Sequence, residues 1–172
     1  MQTERLLLRR FTEDDAAAFF PLASDPQILR YTGEQPKQSV EDVRQMICER
    51  QLRDYELHGY GRMACIEKSS GRLIGFSGLK YLPEFDEPDI GYRFLVDCWG
   101  KGYATESASF LMQQGILEFG LKRVIGLVDP DNHASASVLR KLGLAWEKRI
   151  NPEYYASGLD YYGLSLTAVS EN

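Results

Sequence analysis

The stretch DIGYRFLVDCWGKGYA, Asp89 to Ala104, decides how the rest of the chain is read. It runs from a strand-like segment into a turn with two glycines and then into an amphipathic helix. Gly100 and Gly102 carry no Cβ, so the backbone can bend sharply there and approach a ligand closely. The following helix points its unpaired N–H groups at the same place, where an anion belongs. Nucleotide-binding turns fit less well. No Gly-x-x-x-x-Gly-Lys-Ser/Thr string occurs, and Gly100-x-Gly102 lacks the third glycine and the early placement of a dinucleotide fingerprint. Simple turn chemistry stays open as the alternative.

Working outward, the composition narrows the class. The 172 residues suit a single domain, 1–172, and a hydrophobic fraction of 44 % excludes a disordered chain. No basic segment with an apolar run stands at the start, and no run of ~18 apolar residues occurs, so a soluble, unexported protein is expected. Cys48, Cys65 and Cys98 are odd in number and irregularly spaced. That argues against a disulfide framework or a zinc site; no metal is expected, and a cytoplasmic setting is. A formal charge of −5 disfavours nucleic acid and anionic membranes as partners, although a local basic patch can still hold a small anion.

Strands and helices alternate along the chain without repeats or a dividing linker. A first strand is predicted over Leu6 to Phe11. Thr12 with Asp15 opens a helix over Glu13 to about Leu22, limited by Pro21, and Ser39 with Asp42 opens a longer one to about His58, stopped by Gly59. Asp25 to Gln38 reads as irregular. Gly61 to Glu67 and Arg72 to Tyr81 form a predicted hairpin across Ser69-Ser70-Gly71. After the loop Leu82 to Pro88 comes a strand from Asp89 to about Leu95. The next helix buries Ala104, Ala108, Leu111, Met112, Gly115, Ile116 and Phe119 on one face and ends at Gly120. A strand over Arg123 to Val128 follows, then a turn whose Asn132 caps a short helix through Leu142, with Gly143 as its stop. Closing strands are predicted near Ala145 to Ile150 and Leu159 to Thr167.

The order of strand, WGKGYATE, amphipathic helix, strand and PDNHASASVLRKLG resembles the GNAT superfamily of acyl-CoA-dependent N-acyltransferases. More narrowly it is similar to the RimJ/RimL-like branch of ribosomal-protein N-terminal acetyltransferases. The likeness runs over nearly the whole chain, from RLLLRRFTEDD through IGY, Asn132-x-x-Ser135 and Lys141-Leu142-Gly143 to Gly158-x-Asp160. It implies an α/β (α+β) fold with a mixed, mainly antiparallel sheet of about seven strands flanked by helices. The Asp89 and Arg123 strands splay apart in a V. The cosubstrate implied is acetyl-CoA, its pyrophosphate held by N–H groups from Trp99, Gly100, Lys101, Gly102, Tyr103, Ala104 and Thr105. The pantetheine arm pairs with the backbone of Phe94 and Leu95 and with Asn132, and Lys141 meets the nucleotide end or serves only its own helix terminus. The partner the resemblance implies is a primary amine, on a protein N-terminus or a small molecule, and a monomer or homodimer is expected.

Attack of a neutral amine on a thioester needs a base, an oxyanion donor and an acid for the leaving thiolate. The resemblance implies direct transfer and an oxyanion donor near Leu95. Many relatives have a tyrosine four residues after the position of Ser135, where this chain has Leu139, so the acid role shifts to Ser135. Ser135 as helix cap or pantetheine contact is the alternative. Asp89 is the candidate base, or a solvated residue at a strand entrance; Glu106 is the second candidate, or a partner of the helix dipole. Tyr31, Glu34 and the Tyr154-Tyr155 loop lie where relatives bind the acceptor. Cys98 as nucleophile weighs little, having no suitable histidine close in sequence, and so does His133 as base, since a lone polar histidine in a turn is more often just solvated. A coenzyme A-binding regulatory module without transfer activity is the competing functional class, and a nucleoside-phosphate-binding protein is a third.

Overall fold

Seven strands form one mixed sheet in the order β1-β2-β3-β4-β5-β7-β6 in the computed structural model, which describes residues 1–165. These strands are β1 (Leu6–Arg9), β2 (Arg62–Glu67), β3 (Leu73–Leu82), β4 (Glu87–Phe94), β5 (Arg123–Val128), β6 (Ala145–Ile150) and β7 (Leu159–Ser165). Every neighbouring pair is antiparallel except β4 and β5, which are parallel and meet at one position, Asp89 opposite Ile125. Beyond it the two strands separate, giving the V expected of the Asp89 and Arg123 strands. The first strand stops at Arg9 rather than Phe11, and β4 starts two residues before Asp89. The predicted end of the last strand at Thr167 lies outside the described residues.

The helices are α1 (Ala16–Ser24), α2 (Pro26–Leu29), α3 (Val40–Ile47), α4 (Arg53–His58), α5 (Tyr103–Phe119) and α6 (His133–Lys141). Side-chain alternation along β3 puts helices on both of its faces. Phe76 stacks on Phe19 of α1 with ring centroids 5.8 Å apart, and Leu79 packs where a Cβ on Gly115 of α5 would collide with it. Pro21 does not limit the first helix. α1 runs through it to Ser24 because Leu22 and Ala23 are buried, and the Asp25 N–H closes the last turn on the Pro21 carbonyl. A short 3-10 turn, Glu13–Asp15, precedes α1, with the Asp15 carboxylate accepting from the Thr12 N–H at 2.9 Å. The irregular stretch after Asp25 contains α2, capped by the Asp25 side chain.

The long helix predicted from Ser39 to His58 is continuous but not uniform. Its start is a reciprocal cap between Ser39 and Asp42, and its end is Gly59 at φ 76°. Between α3 and α4 the chain widens into a π-helical turn, Cys48–Leu52. Val43, Ile47, Gln51 and Tyr55 are all buried, and three successive four-residue steps would rotate by ~120° around a straight α-helix. The wider turn takes up part of that drift and keeps Gln51 facing inward.

Candidate active site

Gly100 and Gly102 have φ of 72° and 82°, a left-handed backbone that favours glycine. They turn the chain from the end of β4 into α5. Among the described residues, no N–H from Gly100 to Thr105 donates to a protein acceptor. Six consecutive donors are thus left without a protein acceptor at the start of a 17-residue helix. Trp99, expected to share in this, is excluded: its N–H donates to the Val96 carbonyl at 3.1 Å, and its half-exposed indole donates to the Phe94 carbonyl at 2.8 Å. Tyr103 is buried and donates through its hydroxyl to Glu67, with the Arg5 guanidinium over its ring. Arg5 also donates to the Lys101 carbonyl at 2.8 Å, bracing the turn from outside.

Register along β4 decides which backbone groups face the opening. The Leu95 N–H, expected as oxyanion donor, donates to the Ile74 carbonyl at 2.9 Å and so points into the sheet. Antiparallel alternation then turns the N–H and C=O of Tyr92 and Phe94 toward the gap left by β5. The exposed edge is displaced from the expected one by a single residue, and of the pair Phe94 and Leu95 only Phe94 faces it.

That gap opens into a cavity of about 360 Å³. Asp89, Asn132, Ser135, Tyr31, Glu34 and the Tyr154-Tyr155 pair all line it, so the structure brings together most of the predicted chemical groups, with Tyr92 beside them. Asp89 is buried, not solvated at a strand entrance. Its carboxylate ion-pairs with Arg62 and accepts from the Leu127 N–H at 3.3 Å, at the place where β5 leaves β4. Burial pushes its carboxyl up from the ordinary value, against the opposing pull of Arg62. The Asn132 side-chain oxygen caps α6 by accepting from the Ser135 N–H at 3.1 Å. Ser135 Oγ donates to the Tyr92 hydroxyl at 3.2 Å, which donates in turn to the Ser135 carbonyl at 2.8 Å. Burial raises the Tyr92 phenol well above its ordinary value, so it stays protonated. Leu139 lines the same wall.

Other predicted residues stand differently. Glu34 is held by Arg50 and by Arg93 at 2.7 Å; burial alone would raise its carboxyl, and the two guanidinium groups together bring it below the ordinary value. Both of its oxygens are occupied. Glu106 does not line the cavity. It accepts from Thr3 Oγ1 at 2.6 Å, from the Arg5 N–H at 2.9 Å and from Arg5 Nε at 2.7 Å, tying the start of the chain to the first turn of α5. Lys141 is exposed at the far end of α6 from Asn132 and also lies off the cavity. Sequence reasoning missed Arg62, Tyr92 and Gln51. Only Tyr92 left a signal, two residues from Ile90 and Phe94 in the alternation of IGYRF; Arg62 and Gln51 gain their meaning from partners distant in sequence.

A model of the acetyltransferase (GNAT) domain matches residues 5–145. The chain belongs to the GNAT acetyltransferase family. It is 31 % identical over 162 residues to an uncharacterized N-acetyltransferase, YoaA, of Bacillus subtilis (strain 168), covering 94 % of this chain and 91 % of the relative. Spermidine N(1)-acetyltransferase of Escherichia coli (strain K12) is 23 % identical, with 88 % of this chain and 78 % of that one covered. Among solved structures, a GNAT-family acetyltransferase from Bacillus anthracis superposes with a TM-score of 0.80 at 26 % identity over 96 % of this chain and 97 % of that one. RimL, a ribosomal L7/L12 alpha-N-protein acetyltransferase in complex with coenzyme A, superposes with a TM-score of 0.79 at 20 % identity, covering 95 % and 96 %. The mixed sheet with flanking helices is the fold of this acetyltransferase family. Among the described residues, no helix is long and apolar enough to cross a membrane.

Proposed function

We propose that this acetyltransferase binds acetyl-CoA at the Gly100–Thr105 turn and transfers the acetyl group directly to a primary amine held in the cavity between β4 and β5. The observation that carries the reading is the run of six unspent N–H donors at the head of α5, set at the end of a strand whose edge opens onto Asp89 and Ser135. Such a run fits a pyrophosphate: no Cβ blocks it, since one built at Gly102 would meet only Arg5, at 3.5 Å. When bound there, acetyl-CoA supplies the activated thioester carbonyl. Phe94 offers its free N–H toward the same gap, where a developing oxyanion can be stabilised. Asn132 has its amide nitrogen left over from capping and can bond a pantetheine amide.

Asp89 takes the proton that the attacking ammonium must lose, its raised carboxyl being a better base at neutral pH than an ordinary aspartate. The Ser135 hydroxyl turns from the Tyr92 oxygen to give its proton to the departing sulfur and recovers one from solvent in the open cavity, while Tyr92 holds the hydroxyl in place. Demand on the base depends on the acceptor. At neutral pH roughly one N-terminal amine in ten is uncharged, against about one lysine amine in two thousand. A protein N-terminus, as for the RimJ/RimL-like branch, and a small amine are both within the chemistry of this site, and a cytoplasmic setting suits the three free cysteines. Thiol release from acetyl-CoA, measured against N-terminal peptides, lysine peptides, polyamines, amino acids and aminoglycosides, tests the reading. Turnover with one class supports it and names the acceptor; coenzyme A binding without turnover on any class contradicts it.

A further inference from the structure

The π-helical turn between α3 and α4 places one polar side chain in an otherwise apolar stripe. Gln51 is only 6 % exposed and lines the cavity, and its Oε1 accepts from no donor among the described residues. Buried acceptors are almost always paired, and π turns concentrate at functional sites. Asp54 follows three residues later, on the same face of the helix, and lines the same cavity. Among the described residues it forms no hydrogen bond or ion pair, and burial pushes its carboxyl up despite Lys80, Arg62, His58 and Arg50 nearby.

The remaining charges of the cavity show which kind of group these two acceptors await. Arg62 is committed to Asp89, and Arg50 and Arg93 are committed to Glu34. Asp129 accepts from Tyr155 and Ser157. Lys80 is the one lining cation without a carboxylate partner among the described residues, whereas Asp54 and Glu84 are both left over on the acidic side. The unsatisfied balance is therefore in acceptors and negative charge.

Resting on the function proposed above, we infer that Gln51 and Asp54 form a subsite for a second ammonium group of the acceptor, apart from the amine that is acetylated. The pair then selects among amines: one nitrogen lies toward Asp89 for reaction, and the other donates to Gln51 Oε1 and faces the Asp54 carboxylate. The acceptor class is a diamine or longer polyamine rather than a simple alkylamine. Glu34, its oxygens already occupied, restrains the wall of this subsite and takes no part in holding the ligand.

The test is calorimetric titration of α,ω-diamines and of n-alkylamines of matched length into the protein, with and without coenzyme A, alongside thiol-release assays of the same amines. Wild type should favour the best diamine over its matched monoamine by at least about tenfold, equivalent to ~1.4 kcal/mol. Gln51→Met, which keeps the volume and removes the acceptor, and Asp54→Asn, at a half-buried position where folding is not at stake, should each bring that ratio toward one. Equal affinities in wild type, or a ratio unmoved by both variants, would overturn the subsite. Selective binding lost in the variants without any acetyl transfer would support the subsite and sink the enzymatic reading, whereas transfer without diamine preference would do the reverse.

Discussion

Replacing Glu106 with glutamine separates a structural carboxylate from a catalytic one. In the wild type its two oxygens take a hydroxyl, a backbone N–H and the Arg5 guanidinium, the last also an ion pair at 2.6 Å. Glutamine keeps the shape and one acceptor oxygen but turns an NH2 group against Arg5. Losing a charge-assisted hydrogen bond costs ~1.5–3 kcal/mol, and with Arg5 41 % exposed the screened value is about 1–2 kcal/mol. For a domain of this size that is a fall in Tm of roughly 2–8 °C. Burial alone would raise the Glu106 carboxyl, and its contacts with Thr3 and Arg5 bring it below the ordinary value. Because the folded value is depressed, its stabilisation is fully present above the unfolded value of about 4.3 and is lost as pH falls through the folded value. Thermal melts from neutral to acid pH should therefore show the wild type and Glu106→Gln converging at low pH. Since Glu106 lies off the cavity, kcat should stay within about twofold, a range far smaller than the ~100-fold or more that a lost general base removes. An unchanged Tm with kcat down a hundredfold would refute this reasoning and restore Glu106 as a base.

Three further outcomes follow from the cavity. Ser135→Ala should lower kcat by about tenfold or more with little change in KM for acetyl-CoA, and steady-state kinetics showing an unchanged kcat would exclude its role as acid. Tyr92→Phe should give a smaller fall in kcat, because its hydroxyl stands behind that of Ser135; a larger fall than Ser135→Ala would make the phenol the direct donor. In a pH profile of kcat/KM, the acid limb should lie above the ordinary aspartate value of about 3.9, because burial raises Asp89, and the limb should vanish in Asp89→Asn. A limb that persists in the variant would assign the base elsewhere.

The glycine turn and α5 were legible because local chemistry dictates them. A φ of 72° or 82° favours glycine, and the apolar spacing after Gly102 admits one helical face. The mixed, mainly antiparallel sheet and the V came from the family resemblance and not from spacing, and the strand order came only with the structure. What escaped the sequence were features settled by tertiary contacts. Pro21 reads as a helix end by local rules, yet burial of Leu22 and Ala23 carries α1 past it. The sequence left Asp89 open as base or solvated residue, because Arg62 of β2 and the Leu127 N–H of β5 reach it only in the fold. The hydroxyl pair of Tyr92 and Ser135 joins residues 43 apart, and the one-residue shift from Leu95 to Phe94 depends on which groups β3 consumes. The π turn at Gln51 is written only faintly, as an apolar stripe that steps by four for too long.

Calorimetric titration of coenzyme A into wild type, Gly102→Asn and Gly102→Asp tests the acetyl-CoA cradle most directly. A Cβ at Gly102 meets nothing closer than Arg5 at 3.5 Å, but φ of 82° strains any side chain there, so Gly102→Asn, which shares the strain without the charge, is the reference, and only the aspartate stands a carboxylate against the pyrophosphate. Like charges about 4 Å apart at a protein surface repel by ~4 kcal/mol. The account predicts affinity in Gly102→Asp at least a hundredfold below that of Gly102→Asn, with wild type preferring coenzyme A to ATP. Equal affinities in the two folded variants would contradict it.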